Sequence, residues 1–127
     1  MVRRKAQILV VDDHALVRRA LRSFIDGNAR FHVCGEAESP REALASIRRK
    51  RPDLVLIDLF LNEGDGLTLT RIIRAKYARL PVVMLTLHRA EIFERIARSA
   101  GASSYVTKND ASTLLFPVMR RVLARHR

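Results

Sequence analysis

Five residues of this chain are of types that could do chemistry together: Asp12, Asp13, Asp58, Thr86 and Lys108. Each stands at the end of a short apolar run. QILVV (7–11) precedes Asp12 and Asp13, LVLI (54–57) precedes Asp58, PVVML (81–85) precedes Thr86, and SSYV (103–106) precedes Thr107-Lys108. A carboxylate at the tip of a buried run is costly unless something neutralises it. Three of them at close range repel unless a cation joins them. A hard dication answers that need, and Mg²⁺ is held by one or two carboxylates while keeping several waters. Lys108 would add a fixed positive charge and Thr86 a hydroxyl donor. Such a group suits a phosphoryl group, whose transfer depends mainly on positioning and charge stabilisation. Asp58 would be the nucleophile that becomes an aspartyl phosphate.

That chemistry requires the run ends to meet, and the element order predicts that they do. Buried strands are expected at 7–11, 31–36, 54–57, 81–85 and 103–106. Between them lie helical stripes: Leu16, Val17, Ala20, Leu21, Phe24 and Ile25, closed by Gly27; then Ala43, Leu44 and Ile47; then Leu69, Ile72, Ile73 and Tyr77. Two more follow: Ile92, Phe93, Ile96, Ala97 and Ala100, capped by Gly101, and Leu114, Leu115, Val118, Met119, Val122 and Leu123. Ser39-Pro40-Arg41-Glu42 reads as a capping box with proline at the first helical position. Pro117 inside the last stripe implies either a kinked helix or one that starts late, close to Phe116. Five β-α units with right-handed crossovers give an α/β fold, a doubly wound five-stranded parallel sheet, (βα)5. Ligands of such sheets bind outside the carboxyl ends of the strands.

Length and composition fit one domain over residues 1–127, without repeats or a linker. The apolar run at 8–11 is too short for a signal peptide or a membrane span, and the single cysteine, Cys34, suits a reducing compartment. The expectation is a cytoplasmic protein with Cys34 buried and inert. A net charge of +11 invites a nucleic-acid reading. The basic residues are scattered, however, and lack the interleaved aromatics that stack on bases. The histidines, His14, His32, His88 and His126, show no metal-ligand spacing. His14 is expected at the rim of the site.

With these residues in place, the chain resembles the response regulator receiver domain. The resemblance rests on DD at 12–13, D at 58 followed by DG at 65–66, T at 86 and YVTK at 105–108, and it covers essentially the whole chain. It implies a CheY-like, flavodoxin-like fold and a switch rather than an enzyme with turnover, at most losing its own phosphate slowly. It further implies that Asp58 accepts phosphate from a sensor histidine kinase or a phosphotransfer protein. Asp13 and Asp58 would hold Mg²⁺ directly, Asp12 through water, and the Phe60 carbonyl would be a backbone ligand. Lys108 would contact the phosphoryl group, Thr86 would shift toward it, and Tyr105 would swing inward. The phrases VDDHALVRRALRSFI and LTLH (85–88) are similar to the NarL/FixJ, LuxR-type subfamily. That implies control of a transcriptional output domain, DNA contact only through that domain, and homodimerisation through the first or last helix. No output domain is expected within these residues, since the chain stops at Arg127. Asn62 and Asn109 stand where this family often has proline, the latter in a cis peptide.

Other readings exist for the parts. Asp13 alone reads as a cap for the first helix, and Asp65-Gly66 as a turn and helix start. A flavodoxin-like nucleotide binder would need a glycine- or hydroxyl-rich phosphate cradle where Asp12 and Asp13 stand. A haloacid-dehalogenase-like phosphatase would carry its nucleophile after the first strand. A pseudo-receiver, an interaction module that is never phosphorylated, shares every feature except the reaction.

Overall fold

The computed structural model of the protein describes residues 4–125. The ends of the expected 1–127 domain, with His126, lie outside the described residues. Five strands alternate with five helices: β1 (Ala6–Val11), α1 (Ala15–Asp26), β2 (Phe31–Ala37), α2 (Pro40–Lys50), β3 (Leu54–Ile57), α3 (Gly66–Lys76), β4 (Val82–Thr86), α4 (Glu91–Ala100), β5 (Ser104–Thr107) and α5 (Ala111–Arg125). The sheet order is β2-β1-β3-β4-β5 and every pairing is parallel. The expected doubly wound sheet is therefore observed.

The alternation of side chains along each strand divides the core into two layers. Leu9, Val11, Val55, Ile57, Val82 and Met84 pack with Ala43, Ile47, Leu69, Ile73 and Ala97 from α2, α3 and α4. Ile8, Val10, Leu54, Leu56, Val83 and Leu85 pack with Ile25, Leu115, Met119 and Val122 from α1 and α5. Burial on both faces explains why β3 and β4 read as unbroken apolar runs. Phe116 extends the second layer by stacking on Phe24 at 4.5 Å and Phe31 at 5.5 Å between ring centroids.

Several local expectations need correction. The Pro117 helix does not start late: α5 runs unbroken from Ala111, with Pro117 on its exposed side. Leu16 is 75% exposed, and Ala20, Ile92 and Leu114 are exposed as well, so three helical stripes are wider than the faces they bury. Ser39 caps α2 by accepting from the Glu42 N–H at 3.3 Å, but the Glu42 carboxylate reaches back to the Glu38 N–H rather than to Ser39. Cys34 is only half-buried and is the extra residue of a bulge, because Ile8 pairs with Val33 while Leu9 pairs with Gly35. Burial still raises the Cys34 thiol above its ordinary value, which keeps it a poor nucleophile. No cis peptide bond occurs among the described residues, and a short 3₁₀ turn, Lys108–Asp110, leads into α5.

Candidate functional site

Parallel pairing in register brings the carboxyl ends of β1, β3, β4 and β5 to one edge. The Asp58 N–H donates to the Val11 carbonyl at 3.0 Å, tying the end of β3 to the end of β1. Asp12 is buried and fully engaged. Its Oδ1 accepts from the His14 N–H at 2.8 Å, its Oδ2 accepts from Lys108 Nζ at 2.6 Å, and its carbonyl accepts from Arg18 Nη1 at 2.6 Å. Arg18 is steadied by Glu36 at 3.2 Å, which also receives Arg22 Nε at 2.7 Å. Lys108 Nζ donates a second bond to Asp58 Oδ2 at 2.9 Å and so bridges two buried carboxylates.

Burial by itself would lower the pKa of the Lys108 ammonium. The hydrogen bonds to Asp12 and Asp58, with the two negative charges, outweigh it and hold Lys108 above its ordinary value. Lys108 therefore stays charged, yet one cation faces three carboxylates. The Asp13 side chain is 7% exposed, and its buried Oδ1 receives no hydrogen bond. His14 Nδ1 lies 2.9 Å from that oxygen but is aligned on Asp12 Oδ1, 3.2 Å away. Asp13 does not cap α1: the N-cap is His14, which makes no side-chain cap. The Thr86 hydroxyl is likewise buried without a partner. Oxygens of Asp12, Asp13 and Asp58 and a nitrogen of His14 all lie within 4.8 Å of one another. Hard, partly unsatisfied oxygen donors at this spacing fit a divalent cation.

Two features were not anticipated from sequence. A Cβ on Gly66 would stand 2.2 Å from the Asp58 carbonyl oxygen, so only glycine lets α3 start this close to the end of β3. The Asp65 side chain caps that start by accepting from the Thr68 N–H at 2.7 Å, as the turn-and-helix reading expects. The second feature is an aromatic group. Phe60, 49% exposed, meets the His88 ring edge-on at 4.6 Å, and both meet Phe93 of α4 at 5.9 and 5.4 Å. The spacing Asp58–Phe60 and Thr86–His88 is visible in sequence, but nothing there says the rings touch.

Asp58, Thr86, Lys108, Phe60 and His14 line one cavity of about 520 Å³, together with Val17, Leu21 and Phe24 of α1. Of the residues expected at the site, Asp12, Asp13, Asp58 and Lys108 thus form one cluster, and Thr86 and Phe60 share its cavity with Asp58 and Lys108. Tyr105 is not among the lining residues. Its hydroxyl donates to the His88 carbonyl at 2.5 Å, on the loop between β4 and α4.

Comparison with known proteins agrees with this fold. Residues 8–118 match the response regulator receiver domain family, and the chain belongs to that family. It is similar to the response regulator protein VraR of Staphylococcus aureus, 32% identical over 91% of this chain and 55% of that protein. The transcriptional regulatory protein YdfI of Bacillus subtilis is also 32% identical, over 89% of this chain and 53% of its own length. The chain therefore spans about half the length of these curated relatives. Among solved structures, a LuxR-family two-component response regulator from Aurantimonas sp. superposes with a TM-score of 0.90 at 35% identity, covering 98% of this chain and 89% of that one. No helix among the described residues is long and apolar enough to cross a membrane.

Proposed function

We propose that this receiver is a phosphorylation switch in which Asp58 accepts a phosphoryl group from a sensor histidine kinase or a phosphotransfer protein. An Asp58 carboxylate oxygen forms the new bond to phosphorus as the bond from phosphorus to the donor's imidazole nitrogen breaks, and that nitrogen keeps the electron pair. The observation that carries the reading is a pair of buried oxygens without a hydrogen bond, Asp13 Oδ1, met only by the His14 ring nitrogen 2.9 Å away, and the Thr86 hydroxyl, beside the Lys108 bridge. One wants a cation and the other an oxyanion to donate to.

Asp13 and Asp58 would hold Mg²⁺ directly, with Asp12 acting through water and the Phe60 carbonyl as a further ligand. The metal supplies charge neutralisation for the phosphoryl oxygens. Lys108 releases Asp58 and takes an oxygen of the new phosphoryl group, keeping its second bond to Asp12. The Thr86 hydroxyl donates to another. Tyr105 then gives up the His88 carbonyl and turns inward, altering the surface around α4, β5 and α5. That surface would govern self-association and an output, transcriptional by analogy with the LuxR-type relatives, so that DNA is reached only through an output domain. Slow water attack on the aspartyl phosphate resets the switch. The work belongs to the cytoplasm, where such kinases present their phosphohistidine.

The test is intact mass after incubation with acetyl phosphate and Mg²⁺, on the wild type and on Asp58→Asn. One phosphoryl adduct, dependent on Mg²⁺ and missing from Asp58→Asn, is expected. No adduct on either protein would favour the pseudo-receiver, and an adduct that survives the substitution would move the acceptor elsewhere.

A further inference from the structure

The imidazole of His14 is not used by the phosphotransfer just described, although it stands against the acidic cluster. His14 Nδ1 is 2.9 Å from Asp13 Oδ1 and 3.2 Å from Asp12 Oδ1. Two neighbouring donors of an octahedral ion with bonds of about 2.1 Å are separated by about 3 Å, so this is the spacing of adjacent ligands. The Asp13 side chain is more than nine-tenths buried, and its Oδ1 has no hydrogen bond. Lys108 reaches Asp12 and Asp58 but not this oxygen, which is left short of positive charge that a cation would supply. The His14 ring is 68% exposed, so it can adjust to an ion without unpacking the core.

We infer that His14 is a nitrogen ligand of the metal site and gives it a preference for a transition dication over Mg²⁺. The inference rests on the metal-binding reading of Asp13 and Asp58. Imidazole is a poor partner for Mg²⁺ but a good one for Ni²⁺ and its neighbours, which rank above the hard ions at mixed nitrogen and oxygen sites. Without metal, Nδ1 stands 3.2 Å from Asp12 Oδ1, to which the Nδ1–H tautomer would donate. With metal, Nδ1 offers its lone pair and the ring proton sits on Nε2.

The experiment is calorimetric titration of the full chain with Mg²⁺ and with Ni²⁺, on the wild type, His14→Ala, Asp13→Asn and the double variant. Ni²⁺ should bind the wild type more tightly than Mg²⁺. His14→Ala should weaken Ni²⁺ by about tenfold or more and leave Mg²⁺ within about twofold. The ¹⁵N shift of His14 Nδ1 should move on addition of diamagnetic Zn²⁺, and Asp13→Asn should abolish that movement. Ni²⁺ binding unchanged by His14→Ala, with Mg²⁺ still dependent on Asp13, would overturn the role of His14 while sparing the site. Ni²⁺ binding that survives Asp13→Asn would assign it to the other histidines and overturn the inference. If neither ion needs Asp13, the metal-site reading falls as well.

Discussion

The two ends of the sheet make an instructive pair. At the amino ends of β1, β3 and β4, a cavity of about 640 Å³ is bordered by Arg4, Lys5, Asp53 and Arg79. It is roomier than the one at the carboxyl ends, yet its carboxylate is already satisfied. Asp53 Oδ2 accepts from the Gln7 N–H at 2.7 Å, and the Asp53 N–H donates to the Gln7 carbonyl at 2.7 Å. At the carboxyl ends, by contrast, Asp13 Oδ1 and the Thr86 hydroxyl are buried without a hydrogen bond, and only the exposed His14 ring stands near the first. Room does not mark a site. Polarity held ready and left unspent does.

The contrast predicts opposite responses at the two ends. The largest effect is expected from Gly66→Ala, whose Cβ cannot fit 2.2 Å from the Asp58 carbonyl. It should cost about 3 kcal/mol by urea denaturation, the upper end for overpacking, and should also lose the acetyl phosphate adduct. Lys108→Ala leaves Asp12 and Asp58 buried without their cation, and should cost about 3 kcal/mol in metal-free buffer. Part of that loss should return with Mg²⁺, and equal stability with and without the metal would break the comparison.

Smaller effects separate the ends by sign. Asp13→Asn relieves repulsion at the crowded end and should raise metal-free stability by about 1 kcal/mol. Asp53→Ala removes a used acceptor and should lower stability by about 1 kcal/mol. Two shifts of the same sign would refute the distinction. The least effect concerns Tyr105. Burial, then the charges of Glu94 and Asp58, push its phenol above 10.0. The native state therefore holds that proton more tightly than the unfolded chain, and stability should fall as pH rises beyond about 10. Tyr105→Phe should flatten this fall in thermal melts taken from pH 9 to pH 11.

Most of the fold and four of the site side chains were legible in the sequence, because both rest on short-range signals. Apolar runs of four or five residues ending in a charged or hydroxyl group mark strands and their tips together, and the capping residues Ser39 and Asp65 mark helix starts. What escaped depends on distances between segments far apart in the chain. Gly66 reads as a turn residue, and only the fold shows it seated against Asp58. The Phe60–His88–Phe93 group joins three segments that no periodicity links. The widths of the α1, α4 and α5 stripes misled for a related reason. Apolar residues at helical spacing do not say how much of the face a neighbour covers, and Leu16, Ile92 and Leu114 stand outside that cover. His14 was expected only at the rim, since a single histidine carries no ligand spacing until its neighbours are fixed in space.

The seat of Gly66 has a mechanical consequence. With its N–H on the Leu59 carbonyl at 2.9 Å and Asp65 capping the next turn, the joint between β3 and α3 is pinned at its helix end. The joint between β4 and α4 is different: Ala90 begins α4 without a side-chain cap. A push that starts at Asp58 meets a welded seam on one side and a slack one on the other. Displacement set off by phosphorylation is expected to collect at the slack seam, so that α4 rather than α3 would report it.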